Sequence, residues 1–385
     1  MSIDYTFTKE TMETVEFLEY DHGQILDRAV RNVLGTEVAL LTYAQILDGL
    51  PTEQSLLDST DVCTRCKDHP VLAMKHNEIC PGFVEKAREF RAKFDIAVLE
   101  FELKSTSSSP DMSQALDKFQ NAENGSEEFK LRLIELTVVA CHQIGAYLFG
   151  LDDGAHKHDL YNNWREMAME ERRNGVESRK YASITPTAFS HRLYRHFEQY
   201  PRGLADVAGY WAESKIFGGI VVFDRGETET EFVKCKSIWI HGELVKGPKT
   251  LYPPTEEQFD NLVKFLTSFP NEDSTCPFPI HGTSVNRPRW DAYDAFTHQH
   301  IFRDKYERKL PSKPPRRGCV DNSVDWPELE DQRILMLAHI TTPEGEPYNS
   351  EEEVAAARKR TRNITSSSPL RYSAGNSLGH LNSYC

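Results

Sequence analysis

Much of what this 385-residue sequence establishes comes from what it lacks. It contains no Gly-x-Gly-x-x-Gly fingerprint, no Walker A loop and no His-Glu-x-x-His pair, which disfavours nicotinamide, flavin, P-loop and zincin chemistry, so no nucleotide cofactor is expected. No uninterrupted apolar run approaches the roughly 18 residues of a membrane span, and no membrane partner is expected. The stretch Met1 to Phe17 carries Asp4, Glu10, Glu13 and Glu16 without an apolar segment, so neither a secretory signal nor a basic presequence is read there. Positive charge is in deficit. The 45 Lys and Arg against 59 Asp and Glu give −14, which disfavours a protein that coats nucleic acid non-specifically or lies on an anionic membrane. These absences together point to a cytoplasmic, reducing location, where the eight cysteines serve as thiols or metal ligands rather than disulfides.

What is present reads as an ordinary globular protein, 39% hydrophobic and 27% charged. The expected fold class is mainly α (α+β): a helical body with a small antiparallel β unit and a zinc knuckle. Apolar residues at helical spacing between Lys9 and Leu50 predict two helices. Glu127 to Phe149 is apolar nearly all round and predicts the central buried helix. A helix is expected to start after Thr185, with Pro186 in its first turn, and another runs from Leu204 to about Lys215. Residues 218–223 and 232–240 read as strands paired in an antiparallel hairpin. Thr255 and Gln258 form a capping-box pattern ahead of a helix to about Ser268, and Trp290 to Phe302 reads as the last packed helix. One domain over residues 1–310, with the knuckle inserted at 61–82, is expected. Residues 311–385 read as a mostly mobile tail.

The segment DVCTRCKDHPVLAMKHNEICPGF gathers Cys63, Cys66, His69, His76 and Cys80. A Cys-x-x-Cys turn presents two thiolates, and His76 and Cys80 stand one helical turn apart, so Cys63, Cys66, His76 and Cys80 can close a tetrahedral zinc shell, with His69 as the substitute for His76. Nitrogen and sulfur donors suit zinc and not magnesium or calcium. Four protein ligands would make the site structural. A redox pair or unrelated thiols in a loop remain alternative readings of the same residues.

The acids divide into two groups. Asp152 and Asp153 precede His156 and His158 in a polar run after the central helix, where an interhelical loop competes with a metal site, and His298 and His300 offer a similar pair. Glu213, at the end of an apolar helix, and Asp224 and Glu227, at a strand exit, are candidates for one polar pocket serving as general base or cation site, with Arg225 able to neutralise one of them.

The block YWAESKIFGGIVVFDRGE, with the upstream CTRC and CPGF and the downstream CPFPIHG and IFRDKYERK, resembles fungal secondary-metabolite cluster proteins of the arginine-containing cyclodipeptide synthase family, over roughly residues 10–310. The resemblance implies an aminoacyltransferase that joins arginine and a second amino acid, both from aminoacyl-tRNA, into a diketopiperazine. The Asp-Asp-x-x-Glu motif associated with that family is absent: Asp152 and Asp153 are followed by Gly154, Ala155 and His156. Such an enzyme binds tRNA phosphates, for which Arg165 to Arg202 and Arg303 to Arg317 are the basic stretches, and pairs a guanidinium with carboxylates such as Glu213, Asp224, Glu227, Asp152 or Asp153. A non-enzymatic, zinc-stabilised helical scaffold or binding protein is the alternative.

Overall fold

The computed structural model describes residues 18, 20–59, 67–96, 99, 111–176, 184–226, 234–242, 244–269, 275–304, 307–310, 322–343 and 345–373. These form two compact units, one of Met1–Ile216 with Asp260–Phe278, the other of Phe217–Phe259 with Pro279–Cys385. The architecture is mainly helical with one small antiparallel sheet, as the apolar periodicity implies.

The first unit is built around α7 (Glu127–Leu151), capped by the Ser126 hydroxyl accepting from the Phe129 amide. Helices α1 (Tyr20–Leu34), α2 (Glu37–Asp48) and α6 (Asp111–Asn121) pack on it. Its expected stripe of Phe129, Leu133, Leu136, Ala140, Ile144 and Leu148 is buried, and so are Ile134, Val138, Cys141 and Ala146 on the other faces. By length and composition α7 is apolar enough to cross a membrane, but 89% of that apolar window is buried inside the protein, the character of a core helix. Helices α3 (Glu53–Ser59), α4 (Pro70–Ala73), α5 (Phe83–Lys93) and α8 (His158–Arg173) complete this side of the chain, with α5 against α2 and α4 against α8. Helix α9 (Leu204–Phe217) runs two residues beyond its expected end at Lys215.

No helix follows Thr185. Its hydroxyl donates to the Thr187 carbonyl, Ser190 Oγ donates to the same oxygen, and the Phe189 amide donates to Thr187 Oγ1. These short-range side-chain bonds compete with the helical ladder and hold the segment irregular as far as a 3₁₀ turn at Phe197–Gln199.

The second unit carries the sheet, in the order β3-β2-β1-β4, all antiparallel. Strand β1 (Ile220–Asp224) pairs with β2 (Ile238–His241) in the register Ile220 to His241 and Val222 to Trp239, which is the expected hairpin with shorter strands. The outer strands are β3 (Leu251–Tyr252) and β4 (Ile301–Phe302). Helix α10 (Glu256–Thr267), counted with the first unit from Asp260 onward, starts at the expected capping box, with the Gln258 amide donating to Thr255 Oγ1 and the Thr255 amide to Gln258 Oε1. Helix α11 (Ala292–Gln299) ends before β4, so the expected Trp290–Phe302 helix is split into a helix and a strand. The segment read as a mobile tail contains α12 (Glu328–Leu337), α13 (Glu351–Arg360) and the short α14 (Pro369–Ser373), with Trp326 and Ala357 buried. Asp331 accepts from both Arg287 and Arg360, a pairing over long sequence distance that composition does not reveal.

Candidate metal centre

Four side chains of the first unit converge: Asp48, His76, Cys80 and His156, whose donor atoms all lie within 4.8 Å of one another. Asp48 is the last residue of α2, and the chain leaves it through Gly49 in the left-handed conformation. His76 follows α4, where the Met74 amide bonds to the Pro70 carbonyl and the His76 amide to Val71. Cys80 stands just ahead of Pro81 and Gly82, at the start of α5. His156 lies in the loop between α7 and α8, and its amide donates to the Asp48 carbonyl at 2.8 Å.

The distances describe a common focus. His76 Nε2 lies 3.1 Å from Asp48 Oδ2, Cys80 Sγ 3.4 Å from His156 Nε2, and His156 Nε2 3.8 Å from Asp48 Oδ1. Two ligands at about 2.0 and 2.3 Å from a tetrahedral ion stand about 3.5 Å apart, close to the separation of Cys80 Sγ and His156 Nε2. His76 Nδ1 faces the Pro51 carbonyl at 2.9 Å, an acceptor, so Nδ1 carries a proton and Nε2 is the atom turned to the centre, the usual outer support of a metal-bound histidine. The Cys80 amide donates to Asp48 Oδ2 at 2.7 Å, whereas Asp48 Oδ1 is buried with no hydrogen-bond partner among the described residues. Asp48 itself is 0% exposed, and a buried carboxylate oxygen left unpaired is costly unless a cation meets it. The four residues therefore form a buried group able to hold a metal ion.

Burial opposes ionisation of Asp48, but the hydrogen bonds from His76 and the Cys80 amide, with the charges of His76 and His156, hold its carboxyl below the usual carboxylate range. The Asp48 hydrogen bond raises His76, while burial lowers His156. Burial, with the Asp48 charge behind it, pushes the Cys80 thiol up. His156 also turns the same nitrogen, Nε2, to both Cys80 and Asp48, whereas a nucleophile-activating imidazole uses one nitrogen for each. Ligation, not Cys-His nucleophilic chemistry, fits this arrangement.

Of the expected zinc ligands, His76 and Cys80 are brought together, on irregular backbone and not on a helical turn. Cys63 and Cys66 lie outside the described residues. His69, the substitute, is at the start of α4 with its ring edge-on to Trp164 at 4.7 Å, and burial holds it neutral down to about pH 4. Asp48 and His156 were not read as ligands of this group. No local spacing marks Asp48, and His156 reads more naturally with His158, whose ring instead stacks on Phe149 at 3.9 Å.

The other candidates fall elsewhere. Asp152 caps α7 and accepts from the His158 amide, and exposed Asp153 stands 3.8 Å from Lys86. Glu213 is 0% exposed on α9, with Oε2 3.9 Å from His142 Nδ1. His142 Nε2 is 3.1 Å from Asp206 Oδ1, which also accepts from Arg202 Nε, so an imidazole on the central helix is bracketed by two carboxylates. That histidine, in the mostly apolar second half of the central helix, was a legible signal. Asp224 belongs to the second unit, where it accepts from the Gly226 amide, and Glu227 lies outside the described residues. The Arg225 guanidinium donates to the Phe302 and Arg303 carbonyls. His298 stands beside Asp294, and His300 bonds the Gly226 carbonyl.

Comparison of the chain with protein-family models, with curated proteins and with solved structures returns no match.

Proposed function

We propose that this chain is a zinc-binding protein in which one tetrahedral Zn²⁺, held by Asp48, His76, Cys80 and His156, staples three separate segments of the helical unit. The observation that carries this reading is Asp48 Oδ1, buried and without a hydrogen-bond partner at the focus of one thiol and two imidazoles. One sulfur, two nitrogens and one oxygen within 4.8 Å of one another suit zinc better than the oxygen-seeking cations. Four protein ligands fill the shell, so the metal holds the end of α2, the start of α5 and the α7–α8 loop together and leaves no position for substrate. Metal analysis of the purified protein tests it, with about one zinc per chain expected. Asp48→Ala and His156→Ala lose the metal, whereas Cys63→Ser and Cys66→Ser retain it. The reverse pattern would replace this ligand set with the Cys-x-x-Cys one.

A second reading, from the resemblance, is that the zinc-stapled unit belongs to a cytoplasmic aminoacyl-tRNA-dependent cyclodipeptide synthase that takes arginine from arginyl-tRNA. What favours it is the wholly buried Glu213 beside the His142–Asp206 pair, a set of groups able to pass a proton within the helical unit. Heterologous expression with mass spectrometry for arginine-containing cyclic dipeptides tests it. Product lost in Glu213→Gln at unchanged melting supports the reading, and absence of any such product from the wild-type chain removes it.

A further inference from the structure

The metal ligands of this unit are set in place by backbone contacts as well as by side chains. Asp48 is the last residue of α2, and the loop that carries His156 lies directly on that helix end, with the His156 amide 2.8 Å from the Asp48 carbonyl. Two residues before His156, Gly154 packs against the same carbonyls: a Cβ there would stand 2.4 Å from Asp48 O and 2.5 Å from Leu47 O. Both are main-chain atoms of a packed helix and cannot swing aside. Gly49 faces the loop from the other side, with φ 98° and a Cβ position 1.6 Å from the His156 carbonyl.

We infer that Gly154 is a positioning residue for the metal, admitting the His156 loop onto the end of α2 so that His156 Nε2 and the Asp48 carboxylate meet at one point. The inference rests on the zinc reading above. Any side chain at 154 must move the loop outward by about 1 Å to turn a 2.4 Å approach into an ordinary van der Waals contact. Ligand distances at a zinc centre tolerate about 0.2 Å, so the displaced imidazole leaves the shell. Gly150, four residues earlier, supplies the control, because a Cβ there meets nothing within 4 Å.

The test is a Zn²⁺ titration of the full chain against a competing chelator dye, in the wild type, Gly154→Ala, Gly150→Ala and His156→Ala. Gly154→Ala is expected to weaken zinc binding by about 10- to 100-fold, the range seen when the support of a ligand is removed, and Gly150→Ala to leave it within about twofold. Adding His156→Ala to Gly154→Ala gives the affinity of His156→Ala alone, since both act through the same ligand. Zinc affinity of Gly154→Ala within about twofold of wild type overturns the inference. So does a Gly154→Ala chain that fails to fold where His156→Ala folds, because the glycine then serves packing and not ligand placement. A wild-type chain that takes up no zinc overturns the metal reading itself, a result distinct from both.

Discussion

Asp331 in the second unit and Asp48 in the first are both withdrawn from solvent, at 1% and 0% exposure, yet only Asp331 has guanidinium partners on both oxygens. Arg360 donates to its Oδ1 through Nε and Nη2 at 2.9 and 2.6 Å, and Arg287 donates to Oδ2. Asp48 spends Oδ2 on His76 and the Cys80 amide and leaves Oδ1 facing His156 beyond hydrogen-bond range. A buried carboxylate demands cationic or donor partners, and the two units meet that demand with different chemistry: permanent guanidinium charge in one, a group shaped for an ion in the other.

The comparison breaks most sharply under chelation. Removing zinc should destabilise the first unit by about 4 kcal/mol when the free metal had stood 1,000-fold above its Kd. Hydrogen exchange should then accelerate at α5 and the α7–α8 loop, while α12, which carries Asp331, keeps its protection. Equal loss of protection in α12 would erase the distinction.

Asp331→Ala should do the converse. It leaves two arginines without their shared carboxylate, and because Arg360 is partly exposed at 41% the cost falls at the low end of buried-pair losses, about 3 kcal/mol. The zinc content should not change.

A smaller effect separates His69 from the ligands that surround it in sequence. Burial holds its native pKa at about 4, below the ordinary 6.5, so the unfolded chain takes up the proton first. The neutral ring therefore contributes its full stability above about pH 6.5, and that contribution drains away as pH falls toward 4. His69→Phe should flatten this limb of a stability-against-pH curve, removing a slope of about 1.4 kcal/mol per pH unit between pH 6.5 and 4, with zinc content unchanged. Loss of zinc in this variant would return His69 to the ligand set.

The least effect is expected from Ser350→Ala, which removes the capping box that Ser350 forms with Glu353 at the start of α13. It should cost about 1 kcal/mol, read as a shift in the urea midpoint with no effect on metal.

Elements whose stability is local were legible in the residues. The apolar surface of Glu127 to Phe149 requires burial on every face, the Thr255 and Gln258 pair closes its own cap, and the apolar strands that end at Asp224 and start at Ile238 are consecutive in the chain and pair with each other. His76 and Cys80 were legible as a candidate metal-binding pair for the same reason, since only three residues lie between them. Thr185 with Pro186 misled because a helix start looks identical in sequence to a set of hydroxyl-to-carbonyl bonds that replaces the helix.

Apolar periodicity and residue spacing along the chain are enough to specify a mainly helical protein with one small antiparallel sheet and a cysteine-histidine segment suited to metal. Only the tertiary structure decided which residues complete that group, because Asp48 and His156 stand 32 and 76 residues from Cys80 and acquire their role where the α7–α8 loop lies on the end of α2. It likewise decided that residues 322–373 pack, through Asp331 and two arginines 44 and 29 residues away. The physical reason is the same in both cases: a charge buried on folding takes whatever partners packing brings to it, and those partners leave no periodicity along the chain.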